Sequence, residues 1–115
     1  MVKINILDCT LRDGGYVNNW KFGNSHIKQM LNYFTEAEID FIECGYLSNK
    51  TTYDINRSVF DSIDRLKSVL PLTHHSSKFV CMINLGEFNV EDIPDYDGTS
   101  VHGIRVVFHK KQTLH

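Results

Sequence analysis

The sequence predicts an α/β chain built from parallel βα units, and two observations carry that expectation. The apolar period alternates along the chain between the two-residue repeat of strands and the helical repeat of about 3.6. The resulting order is strand, helix, strand, helix, strand, short connection, strand. The 115 residues read as a single domain spanning 1–115, with no low-complexity segment or linker.

Ile4-Asn5-Ile6-Leu7 reads as the first strand. From Ser25 to Ala37, Ile27, Met30, Leu31 and Phe34 follow the i, i+3, i+4, i+7 spacing of one helix face, with Asn24 or Ser25 as the N-cap. Residues 39–45 form a strand pattern closed by Gly45. A second helix is expected where Ile55, Val59, Ile63 and Leu66 make a stripe, and Pro71 ends it. Residues 78–84 are almost continuously apolar, as in a strand covered on both faces. The acidic stretch from Gly86 to Ser100 allows a short helix and a loop, and residues 103–108 supply a fourth strand.

Composition narrows the function classes. Twelve Lys and Arg against fourteen Asp and Glu leave a net charge of -2, so the chain carries no electrostatic footprint for nucleic acid or an anionic membrane. Cys9, Cys44 and Cys81 are an odd number without paired spacing and lie in apolar runs. They are expected to be reduced, in a cytoplasmic protein. No stretch approaches the roughly 18 apolar residues of a membrane span, and the first eight residues do not make a signal peptide.

Chemistry concentrates after the first strand, in Asp8-Cys9-Thr10-Leu11-Arg12-Asp13-Gly14-Gly15-Tyr16. In parallel α/β folds ligands bind at the carboxyl ends of the strands. The glycines do not form the G-x-G-x-x-G dinucleotide pattern. Along the second strand, Ile39, Phe41 and Glu43 share one face, and Asp40, Ile42 and Cys44 the other. Four strands fit either a small open α/β domain or half of an eight-stranded βα barrel, which needs about 250 residues.

Asp8-x-Thr10-Leu11-Arg12-Asp13-Gly14 resembles the opening motif of the pyruvate-carboxyltransferase-like, or DRE-TIM metallolyase, family. Residues 40–46 resemble that family's second strand, and Ile104-Arg105-Val106-Val107-Phe108-His109 resembles the fourth strand of its 4-hydroxy-2-oxovalerate aldolase branch. The resemblance implies the N-terminal half of a TIM (β/α)8 barrel, with about four parallel strands and helices on the outer face. It further implies divalent-metal-assisted cleavage or formation of a carbon–carbon bond through the enolate of a small 2-oxo acid. A Claisen-type acyltransferase is the alternative enzyme, and a non-catalytic half-barrel binding module the alternative outside catalysis.

Carried onto this sequence, the resemblance makes Asp13 the ligand of Mn²⁺ or Mg²⁺, hard cations that prefer oxygen donors. Arg12 stabilises the enolate oxygen, since a guanidinium stays charged at any working pH. Glu43 orients Arg12 or a water; its alternative is an ion pair with Arg105. His109 contacts substrate or moves a proton, or else is solvated beside Lys110 and Lys111. Tyr16 stands where the aldolase branch has a histidine base. A phenol is a poor base at neutral pH, so Tyr16 is expected to donate a hydrogen bond.

The family's His-x-His metal ligands have no counterpart here, and the adjacent His74-His75 are expected at the surface. The metal site is therefore expected to be incomplete in this chain, and the chain alone inactive. Trp20 and Phe22 are expected to pack the first helix, the alternative being a pocket wall. Unpaired outer strands would invite a second copy or a missing C-terminal half as partner.

Overall fold

The computed structural model describes residues 3–72 and 75–108. Its core is a parallel sheet: β1 (Leu7–Asp8), β2 (Phe41–Leu47), β4 (Lys78–Asn84) and β5 (Gly103–Val107) lie side by side in that order. A two-residue strand, β3 (Val59–Phe60), pairs in parallel with Tyr46 and Leu47 at the carboxyl end of β2. A single-turn helix, α1 (Thr10–Asp13), follows β1, and α2 (Asn24–Glu36) and α3 (Ile63–Lys67) precede β2 and β4.

The apolar residues of α2 and the sheet explain the layering. Ile27 and Leu31 are buried, with Met30 and Phe34 packed beside them, as the helical spacing requires. They join Ile42, Cys44 and Leu47 of β2 and Phe79, Cys81 and Ile83 of β4 in one core, to which α3 adds Ile63 and Leu66. The opposite sheet face carries Glu43, Tyr46, Met82, Asn84 and Arg105, residues able to do chemistry. Parallel α/β order is thus observed as expected.

Several elements differ from the sequence expectation. The first strand is Leu7–Asp8 rather than 4–7, and Ile4 and Ile6 are exposed. Asp40 draws the chain in here, its carboxylate accepting from the Ile6 amide at 2.8 Å. The second helix is confined to Ile63–Lys67. Upstream, the Asp54 carboxylate accepts from the Asn56 amide at 2.9 Å, a local turn that competes with a helix. Ser62 then caps α3 by accepting from the Arg65 amide, so the helix starts there and Ile55 is left exposed. Val59, assigned by its spacing to that stripe, becomes part of β3. The N-cap of α2 is Gly23, at φ 90°, rather than Asn24 or Ser25. Between Gly86 and Ser100 the short helix is one 3-10 turn at Val90–Asp92.

β2 contains the fold's main irregularity. Glu43 pairs with Val80 and Tyr46 with Met82, so three steps along β2 match two along β4. The extra residue is a bulge that reverses the alternation, placing Tyr46 on the Glu43 side and Leu47 in the core. Gly45 sits in it at φ 142°. A Cβ there would lie 2.0 Å from the Ser58 carbonyl oxygen, which accepts the Tyr46 amide at 3.1 Å. Only glycine permits that approach.

Candidate functional site

Arg12, Glu43 and Arg105 converge on one sheet face just past the carboxyl end of β1: Arg12 comes from α1, Glu43 is the third residue of β2 and Arg105 the middle residue of β5. The helical turn after β1 is closed by Arg12 and Asp13 amides donating to the Cys9 carbonyl at 3.1 and 2.7 Å. Leu11 is buried by this turn, which turns Arg12 toward β2. Arg12 Nε donates to Glu43 Oε1 at 2.6 Å, and Arg105 Nη1 donates to Glu43 Oε2 at 3.1 Å. Each carboxylate oxygen therefore has its own guanidinium. Glu43 is 0% exposed, whereas the Arg105 side chain is 45% exposed.

A carboxylate so far from water is tolerable because both oxygens receive charge-assisted hydrogen bonds. Of the partners considered for Glu43 (Arg12, a water, Arg105), the structure pairs it with both arginines. Burial alone lowers the Arg12 pKa, but its hydrogen bond and attraction to Glu43, helped by Tyr46, raise it above the ordinary value. The guanidinium stays charged throughout. Asp13 is different: its side chain is 68% exposed, 3.3 Å from Arg12 Nη1.

A second cluster adjoins the first. The Tyr16 and Tyr46 hydroxyls are 3.0 Å apart, and Trp20 meets both rings edge-on, with centroids at 4.9 and 5.6 Å. The Trp20 indole N–H donates to the Arg12 carbonyl at 2.6 Å, tying the aromatic cluster to the Arg12 turn. Gly15 is required beneath it, because a Cβ would fall 1.9 Å from the indole ring. Burial pushes the Tyr46 phenol up to about 12; the Tyr16 hydrogen bond adds to this and nearby Arg12 opposes it. Both tyrosines line a cleft of about 220 Å³ at the ends of β2 and β4, whose rim includes Thr51, Asn84 and Glu87.

The geometry brings together Arg12, Glu43 and Tyr16, with Asp13 beside them; His109 lies outside the described residues. Sequence reasoning missed Tyr46, which faces both Arg12 and Tyr16. Its signal was Gly45: the strand expected to close there runs instead from Phe41 through Gly45 to Leu47, and a glycine inside a strand marks a bulge. Trp20 walls the cleft rather than packing the first helix, whereas Phe22 does pack against the core. His75 lies on Phe79, ring centroids 4.9 Å apart, and His74 is outside the described residues.

The donor set limits cation binding. Asp13 offers an exposed carboxylate, while both Glu43 oxygens are spent on arginines. Among the described residues no group of three or more His, Cys, Asp or Glu is arranged to hold a metal ion. A hard divalent cation takes about six oxygen ligands, so these residues fit one only as a partial ligand set. Among the described residues no helix is long and apolar enough to cross a membrane.

No protein-family model matches the chain, and neither the curated proteins nor the solved structures contain a significant match.

Proposed function

We propose that the chain is the N-terminal part of a (β/α)8-barrel aldolase or lyase that acts on a 2-oxo acid through its enolate. The observation that carries this reading is the Arg12–Glu43–Arg105 cluster, which gathers just past the carboxyl end of β1 on the sheet face opposite α2 and α3. Such folds place their sites after strand ends on the barrel's inner side. Helices α2 and α3 packing on one sheet face also fit a barrel wall.

Cleavage of a 4-hydroxy-2-oxo acid leaves negative charge on the oxygen of the departing pyruvate-type enolate. Arg12 has Nε committed to Glu43 and Nη1 near Asp13, with the Tyr46 hydroxyl also interacting with the guanidinium; of its five N–H donors, those left over can donate to that oxygen. Glu43 holds the guanidinium plane in place, so little reorganisation accompanies charge development. Tyr16, hydrogen-bonded to Tyr46, serves as a donor to substrate rather than as a base. A bound Mn²⁺ or Mg²⁺ would add Lewis-acid polarisation of the ketone, and Asp13 would be this chain's ligand to it. His109 is a further candidate for substrate contact or proton transfer. Three free cysteines suit a reducing, cytoplasmic setting.

The decisive experiment uses the full-length protein and measures Mn²⁺-dependent pyruvate release from 4-hydroxy-2-oxo acids, together with solvent deuterium exchange at the pyruvate methyl. Both activities are expected. Arg12→Lys, which loses the planar fork, should lower each by about 100-fold or more, and Asp13→Ala should abolish metal-dependent release. Absence of both activities, or an unaffected Arg12→Lys enzyme, overturns the reading.

A further inference from the structure

We propose that the cleft beside Tyr16 and Tyr46 is the subsite for the second half of the substrate, and that it takes a small, neutral, hydroxylated aliphatic group. This rests on the enolate reading above and names what the enolate is joined to or released from.

The cleft has the position such a subsite needs. Tyr46 separates it from Arg12, so a group seated there adjoins the place where enolate charge would develop. Its volume of about 220 Å³ falls below the roughly 300–1,000 Å³ of pockets for drug-sized ligands, which suits a chain of about four to six carbons.

Its lining selects chemistry. Tyr16, Trp20 and Tyr46 present aromatic surface to C–H groups, while Thr51, Asn84 and Glu87 bring a hydroxyl, an amide and a carboxylate. Together they can donate to and accept from several hydroxyl groups. An apolar chain would displace water from these partly exposed groups without replacing its hydrogen bonds, which disfavours it against a hydroxylated one. Arg57, on the same rim, spends Nε and Nη2 on Asn19, and Glu87 adds negative charge. The cleft is thus poorly suited to a phosphate or to the anionic tail of an acyl thioester. Backbone bonding holds its two loops together: the Asn49 amide donates to the Glu87 carbonyl at 2.8 Å.

Binding can be tested without catalysis, because Trp20 is the only tryptophan in the sequence. Titrating the full chain with erythritol and with D-ribose should give a saturable change in its fluorescence, with Kd of about 1–50 mM. Asn84→Leu, Glu87→Leu and the exposed-loop variant Thr51→Val should each weaken that response by about fivefold or more, with melting curves reporting that the variants are folded. No saturable response by about 200 mM overturns the proposal, as does equal or tighter binding of 1-butanol or glycerol 3-phosphate. Pyruvate deuterium exchange judges the enolate reading separately, so either idea can fail while the other stands.

Discussion

Glu43 gains its importance from what surrounds it. Two guanidiniums offset the cost of burying its charge, and the charge in turn holds Arg12 and Arg105 on one side of the sheet. Glu43→Gln keeps the shape but removes that charge, leaving two adjacent cations, one of them largely buried. The variant is expected to lose about 3 kcal/mol of stability, measured by urea unfolding. Stability equal to that of the parent would mean that the cluster is held by packing alone. The sequence pattern placed Glu43 on the correct face because residues 41–43 alternate regularly; Ile39, expected on that same face, lies before β2 and packs against the core instead. It left open whether Glu43 would orient Arg12 or a water, or pair with Arg105. Arg12 and Arg105 in fact approach different oxygens of the one carboxylate.

At the scale of elements, the bulge in β2 decides which residues form the site. Without the extra residue, Tyr46 would turn into the helix-covered core and Leu47 would take its place at the mouth. Gly45→Ala is expected to push Ser58 away, detach β3 and cost about 2 kcal/mol or more. Hydrogen exchange reads this locally, because the Tyr46 and Ser48 amides donate to the Ser58 and Phe60 carbonyls at 3.1 and 2.9 Å. Faster exchange at those two amides, with α2 still protected, is the expected pattern; unchanged protection would show that the close approach is dispensable. The shortened α3 teaches the converse lesson. Its sequence stripe was long enough for three turns, yet the Asp54 turn and the Ser62 cap offered the backbone better local partners.

The whole molecule carries its burial into its pH dependence. Burial, with a smaller contribution from Glu43, pushes the Cys81 thiol up to about 12 from an ordinary 9.0, and Tyr46 likewise rises to about 12 from 10.0. Both groups are neutral in the folded protein and ionise more readily when unfolded. Their contribution is complete below the unfolded values and is lost as pH rises toward 12. Burial raises the Cys44 thiol well above its ordinary value as well, so thermal midpoints should fall from about pH 9 upward, and the double substitution Cys44→Ala/Cys81→Ala should move the onset toward the phenol range near pH 10. An onset unchanged by that substitution would contradict the assignment. The sheet also has two lateral strands, β1 and β5, each paired on one side only within the described residues. Exposed Leu7 and Val106 lie on them. We propose that such edges recruit a second copy or the remaining half of a barrel. Sedimentation at high micromolar concentration should show self-association, and a clean monomer would speak against pairing with a second copy.

The amino-acid pattern alone determined the alternation of strands and helices, the core stripe of Ile27 and Leu31, and the crowding of Arg12 and Asp13 after the first strand. These are local consequences of periodicity and of charge placed at the end of an apolar run. It also put Glu43 on the site face, because regular alternation needs only a count of residues. Tertiary structure decided the rest. It shared Glu43 between arginines from α1 and β5, brought Tyr46 to Tyr16 through the bulge, and set Trp20 against the Arg12 carbonyl. The first two depend on contacts between residues distant in the chain, and the third on a loop that folds back over eight residues. A one-residue shift of register or a turn's competing hydrogen bond changes them, while the local pattern stays the same.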